Sequence, residues 1–235
     1  MVFAFILKRN AKSELKAAFS LFSIFSRNES TILAKEENAK ISECCIRASS
    51  EQHFQSVKQS LLLYEHFVDE SEETNLLQEI ETHLKRVRYE STHWDDAILN
   101  YRETEIWRWN QQNKQIIERI RKLAFSKEVK SIDFVHVLDL AENGVIKPHI
   151  DSVRFCGRII AGLSLLSPSI MRLVHENNKN FVIDVLLKRR SLYIMKDSIR
   201  YDFTHQILGN DESFFNGVKV PKTRRISLIC RCEPQ

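Results

Sequence analysis

No CxxC pair occurs in the sequence, and its five cysteines (Cys44, Cys45, Cys156, Cys230 and Cys232) are an odd set. This set argues against both a disulfide framework and a structural zinc site, and a reducing compartment fits the pattern. Only five glycines and four prolines punctuate 235 residues. No apolar run reaches the roughly 18 residues that a membrane-spanning helix needs, so neither low-complexity sequence nor a helical membrane span is indicated. What is present is ordinary globular material, with 43% hydrophobic and 28% charged residues, enough to bury the core of one domain with an appendage.

The appendage is N-terminal. Residues 1–27 carry five bases (Lys8, Arg9, Lys12, Lys16 and Arg27), one acid (Glu14) and four serines, with apolar residues at helical spacing in LKAAFSLFSIF. That is the composition of a mitochondrial presequence, expected over residues 1–28. A secretory signal would place its bases before the apolar run, whereas Lys8 and Arg9 follow the first one. The whole chain has 35 bases and 31 acids; removing five and one leaves 30 of each, so the pI of 8.8 belongs to the leader. A mature chain without net charge is not expected to bind duplex DNA strongly. The clusters KRVR (85–88), KRR (188–190) and KTRR (222–225) read as solvated faces.

Residues 29–57 are polar and are expected to form a poorly ordered linker. From 58 to 235 a single domain is expected, with helical support over 58–128 and strands over 129–235. LLLYEHFV reads as a strand, DESEETNLLQEIETHLKRV as a helix with acids in its first turn and bases in its last, and NQQNKQIIERIRKLAF as a second helix. From about residue 132 the period changes. FVHVLDL, RIIAGLSLL, IMRLVH, NFVIDVLL, SLYIM, YDFTHQIL and RRISLICR are short alternating or β-branched segments between turn-like residues, the pattern of an antiparallel barrel or jelly roll. The fold class expected is therefore α+β.

KPHID (147–151) places His149 and Asp151 two apart at a strand end, where both point to one face. With His205 in RYDFTHQI they would make two histidines and one carboxylate, the facial triad of non-haem Fe(II) oxygenases. His93-Trp94-Asp95 is a second HxD, but nothing beyond it resembles a carboxylate-binding strand, and a packing role is expected there. Beyond His205, RRISLICR puts Arg225, Ser227 and Arg231 on one strand face, with Arg224 out of phase. Two arginines and a hydroxyl suit a dicarboxylate.

Together, HVLDLAENGVIKPHIDS, IAGLSLLSPSIMRLVH, SLYIMKDSIRYDFTHQI and RRISLICR resemble the AlkB family of Fe(II)- and 2-oxoglutarate-dependent dioxygenases, and its mitochondrial branch in particular. The resemblance extends upstream through KRVRYESTHWDDAI and YRETE and covers roughly residues 60–235. It implies a double-stranded β-helix core. Fe(II) would be held by His149, Asp151 and His205, and Arg225, Tyr193 and Ser227 would take the distal carboxylate of 2-oxoglutarate, with Arg231 near its metal-chelating end. The family's base-demethylating members carry Asn and Tyr where this chain has Leu138 and Leu140, and a nucleotide-gripping lid that residues 89–131 do not resemble. The resemblance implies consumption of dioxygen and oxidation of a C–H bond, on a protein side chain or a mitochondrial RNA base, by a monomer in the mitochondrial matrix, in damage response or metabolism. A regulator that keeps the iron site but signals through a partner is the alternative.

Overall fold

A computed structural model describes residues 41–234. The presequence and the first part of the expected linker lie outside the described residues.

The described chain is built on one antiparallel sheet. Its strands are β1 (Ile46–Ala48), β2 (Leu61–Tyr64), β3 (Glu90–Thr92), β4 (Ile98–Ile106), β5 (Val135–His149), β6 (Ile159–Leu165), β7 (Ser169–His175), β8 (Asn178–Leu187), β9 (Ser191–Lys196), β10 (Phe203–Ile207), β11 (Phe214–Phe215), β12 (Val218–Lys219) and β13 (Arg225–Arg231). The hydrogen-bonded order is β1-β8-β7-β10-β5-β13-β6-β9-β2, with the β3–β4 hairpin added to β5 and β11–β12 forming a separate ribbon. The sheet curls on itself. Ile183 and Val185 of β8 share one buried cluster with Leu61 and Leu63 of β2 and Met195 of β9, strands from opposite ends of that order. This curled sheet is a jelly roll of the double-stranded β-helix kind.

Strand β5 is the organising element. Over His136–Leu140 it pairs with β13, whereas Ile146 and His149 pair with β10. One strand therefore carries the HxD motif to the β10 edge and fixes the register of the arginine strand. In β13, Arg225 lies opposite Leu140 and Ser227 opposite Leu138, so these four side chains share the inner face. A slip of one residue would turn all of them outward.

The helices are α1 (Glu51–Val57), α2 (Glu70–Leu84), α3 (Gln111–Ala124) and α4 (Ser198–Asp202). A capping box starts α2: Asp69 accepts from the Glu72 N–H at 2.9 Å, and the Glu72 side chain accepts from the Asp69 N–H at 3.0 Å. The helix buries Leu76, Ile80 and Leu84 at four-residue spacing, and α3 buries Ile116, Ile117, Ile120 and Ala124. Arg119 joins the two helices through Glu72 at 2.9 and 3.1 Å.

Three expectations are revised. Residues 41–57, read as linker, are part of the fold. Ile46, Arg47 and Ala48 pair with Val185, Asp184 and Ile183, and Ser50 caps α1 by accepting from the His53 N–H at 3.1 Å. This segment is held by main-chain pairing and buries little besides Cys45 and Val57, so apolar patterning does not reveal it. The support region 58–128 contains, besides its helices and the expected strand β2, the β3–β4 hairpin, which was not expected. YDFTHQIL divides, its first residues closing α4 and the rest forming β10.

Candidate functional site

His149 ends β5 and His205 lies in the middle of β10. The two are directly opposed across the strand pair, so both imidazoles project from the same face, with ring centroids 4.3 Å apart. Asp151 follows β5 and brings Oδ1 to 3.4 Å from His149 Nε2 and 3.9 Å from His205 Nε2. These three offer ligand atoms all within 4.8 Å of one another. Their side chains keep 15 to 23% exposure, so an ion can reach them from solvent.

The protonation pattern suits a cation. His149 Nδ1–H donates to the Lys147 carbonyl at 2.9 Å, which turns Nε2 toward the cluster. Burial, with His149 beside it, pushes His205 down to about 3, so its imidazole is neutral at ordinary pH. Burial alone would raise the pKa of Asp151, but the His149 contact and the Arg231 charge outweigh it and hold the carboxyl well below its usual range. Once a cation displaces the His149 proton, two imidazole nitrogens and one carboxylate, with one side open, match the donor set of a non-haem Fe(II) centre.

Arg231 touches this cluster directly. Its Nε donates to Asp151 Oδ2 at 3.2 Å, and its Nη1 donates to His136 Nδ1 at 3.1 Å. His136 Nε2–H in turn donates to Glu103 Oε2 at 2.7 Å, and the other Glu103 oxygen lies 3.7 Å from His93 Nε2. The guanidinium is thus held at both ends before any ligand arrives.

Farther along the same face lies a cationic pocket. Arg225 is 1% exposed; its Nε donates to Ser164 Oγ at 3.1 Å, and its Nη2 has no partner. Ser227 Oγ is likewise buried and unpartnered. Tyr193, also buried, directs its phenol toward Arg225, and Gly162 makes this possible: a Cβ on Gly162 would lie 2.3 to 2.5 Å from the Tyr193 ring and hydroxyl. Two buried donors without acceptors, one of them a guanidinium, are a deficit that a carboxylate removes. The donors of this cluster suit a carboxylate, and those of the triad suit a divalent ion.

All seven residues singled out in the sequence converge on one inner face. Arg224 points the opposite way, to Asp139 at 2.8 and 3.0 Å and to Glu81 at 2.7 Å. The HWD segment does not assemble a site: His93 pairs with Asp95 at 2.6 Å and only approaches Glu103. Sequence reading missed His136, Glu103, Gly162 and Ser164. His136 shares strand parity with Leu138 and Leu140, and Glu103 lies diagonally across β4, so inward alternation was a usable signal for His136 only.

No protein-family model matches the chain. A mouse protein named alpha-ketoglutarate-dependent dioxygenase alkB homolog 7, mitochondrial, is 46% identical over 190 residues, 81% of this chain and 86% of the relative. A bovine protein of the same name is 50% identical over 169 residues, 72% of this chain and 76% of the relative. Among solved structures, that of OsALKBH1 superposes with a TM-score of 0.55 at 12% identity, covering 73% of this chain and 97% of the other, a likeness of fold. With nearly half the residues identical across most of both chains, the protein belongs to the alkB homolog 7 family of alpha-ketoglutarate-dependent dioxygenases, which use Fe(II) and 2-oxoglutarate.

Proposed function

We propose that this dioxygenase hydroxylates a C–H bond of a protein side chain in the mitochondrial matrix. His149, Asp151 and His205 hold Fe(II). Arg225, with Ser227 and Tyr193, holds the distal carboxylate of 2-oxoglutarate, and Arg231 orients Asp151 and lends its charge to the chelating end. The bound iron supplies the activation of dioxygen, coupled to decarboxylation of 2-oxoglutarate to succinate. The chain's own residues position and neutralise: Arg225 offsets a carboxylate in a site closed to water, and the His136–Glu103 pair keeps Arg231 from swinging onto the substrate.

The observation that carries the cosubstrate reading is the pair of buried, unpartnered donors on Arg225 and Ser227. Support for a protein substrate comes from the rim. Its acids are paired, Asp95 with His93 at 2.6 Å and Asp96 with Lys147 at 2.7 Å, while Trp94, Val153 and Phe155 are exposed apolar side chains on the segments flanking His93 and Asp151. Exposed apolar side chains beside the reacting centre suit a polypeptide. The matrix location accords with the basic leader and with relatives named as mitochondrial.

The test is succinate formation by purified protein against separate pools of mitochondrial protein and mitochondrial RNA. Stimulation by the protein pool alone is expected. Stimulation by RNA alone would overturn the substrate class, and 2-oxoglutarate binding without stimulated turnover by either pool would favour a regulator.

A further inference from the structure

We propose that Cys44, Cys45 and Glu65 form a second metal site, distinct in chemistry from the iron centre, which takes a thiophilic divalent ion of the zinc class.

The three side chains come from two places. The turn Glu43–Cys45 presents adjacent cysteines, and Glu65 follows β2. Ser42 N–H donates to the Leu63 carbonyl at 2.7 Å and so holds the turn against that strand. The sulfurs are 4.0 Å apart, and Glu65 Oε1 lies 3.3 Å from Cys45 Sγ and 3.8 Å from Cys44 Sγ. A tetrahedral zinc ion with bonds of about 2.3 Å to sulfur and about 2.0 Å to oxygen sets its donors roughly 3.8 Å apart for two sulfurs and roughly 3.5 Å apart for sulfur and oxygen. The observed triangle matches those edges without rearrangement.

The protons are arranged as placeholders. One oxygen, Glu65 Oε1, is the common acceptor of the Ser42 hydroxyl and both thiols, while Oε2 is occupied by Lys188 Nζ at 2.5 Å. A cation at the centre of this triangle replaces the two thiol protons, which leave to solvent as two sulfur–metal bonds form, with no change of oxidation state. Two thiolates and one carboxylate then face one divalent ion and the Lys188 ammonium, and the local charge is balanced. Cys44 is exposed and gives the ion its entry, whereas Cys45 is buried. Sulfur donors select against magnesium and calcium and separate this site from the nitrogen and oxygen donors of the triad. Bound there, the ion would tie the start of the described fold to the end of β2 and, through Lys188, to the turn between β8 and β9.

The experiment uses the full-length, reduced protein titrated with Cd²⁺ as the probe, because cadmium–thiolate charge-transfer absorption in the ultraviolet reports sulfur ligation and is silent for the histidine–carboxylate triad. The band should saturate at one equivalent per chain, bleach when Zn²⁺ competes, and fall to half amplitude or less in Cys44→Ser. Cys44 is exposed, so this variant should fold and form succinate as the wild type does. In Glu65→Gln, which keeps both sulfurs, the affinity should drop at least tenfold. Zn²⁺ should raise the melting temperature of the wild type more than that of Cys44→Ser, which retains only the histidine–carboxylate triad. Absence of the band in the wild type, or a band of undiminished amplitude in Cys44→Ser, would overturn the proposal.

Discussion

Arg224 and Arg225 are adjacent arginines with opposite fates, and replacing each separates the proposed cosubstrate site from the scaffold. Arg225 is 1% exposed, with one hydrogen bond to Ser164 and a free Nη2, and among the described residues no carboxylate pairs with it. Burial lowers its pKa, the expected response of a cation without a counter-ion. A charge-assisted contact to a ligand carboxylate in such a pocket is worth on the order of 2 to 5 kcal/mol, so Arg225→Ala should weaken 2-oxoglutarate binding by about 30-fold or more. Lysine keeps the charge but lacks the planar fork, and Arg225→Lys should recover little of the loss. Arg224 grips Asp139, which is fully buried but keeps Arg102 at 2.8 Å and Tyr89 at 3.0 Å when Arg224 is gone. Arg224→Ala should therefore cost about 1 to 2 kcal/mol of stability, lowering the melting temperature by about 2 to 8 °C, with cosubstrate affinity unchanged. Affinity measured by calorimetry with Mn²⁺ in place of iron, beside thermal melts, reads both. If Arg224→Ala loses affinity at an unchanged melting temperature while Arg225→Ala binds normally, the facing of β13 is wrong and the roles of Ser227 and Arg231 fall with it.

Gly162→Ala should drive its methyl into the Tyr193 ring and cost about 1 to 3 kcal/mol, seen as a lower melting temperature together with weaker 2-oxoglutarate binding. Tyr193→Phe removes only the hydroxyl and should cost about 0.5 to 1.5 kcal/mol of cosubstrate affinity in the same calorimetric assay, with the fold intact. The pH dependence of metal binding follows from His149. Burial lowers its pKa, but the hydrogen bonds to Asp151 and the Lys147 carbonyl prevail and raise it above the ordinary histidine value. A proton on that imidazole competes with the metal, so Mn²⁺ affinity should be full above this pKa and fall by about tenfold per pH unit below it; a flat profile from pH 8 to 5.5 would contradict His149 as a ligand. His136→Phe should release Arg231 and reduce cosubstrate affinity while leaving Mn²⁺ bound, checked by titrating the two ligands separately.

The strand half of the molecule was legible because inward alternation and short β-branched segments both follow from a two-sided curled sheet. RRISLICR shows how far this goes: parity alone separates Arg225, Ser227 and Arg231 from Arg224, and the register opposite Leu140 and Leu138 agrees with it. The HxD pair was legible as a motif, yet His205 could be joined to it only by supposing that two strands 54 positions apart are neighbours. Pairing of β10 with β5 is a property of the whole topology. The segment from 41 to 57 was illegible for a different reason, since β1 attaches through main-chain hydrogen bonds that place no demand on side-chain hydrophobicity. His136 and Glu103 escaped notice because their role lies in a chain of contacts through Arg231, and no local spacing encodes a contact across 95 residues.

The most direct measurement is the visible charge-transfer absorption that forms when Fe(II) and 2-oxoglutarate are added together to the protein without oxygen, since it requires both to be bound at one centre. Wild type and His93→Ala should show it, and Asp151→Ala and His205→Ala should not. Its persistence in Asp151→Ala and His205→Ala, with loss in His93→Ala, would contradict the account and move the iron to the HWD segment.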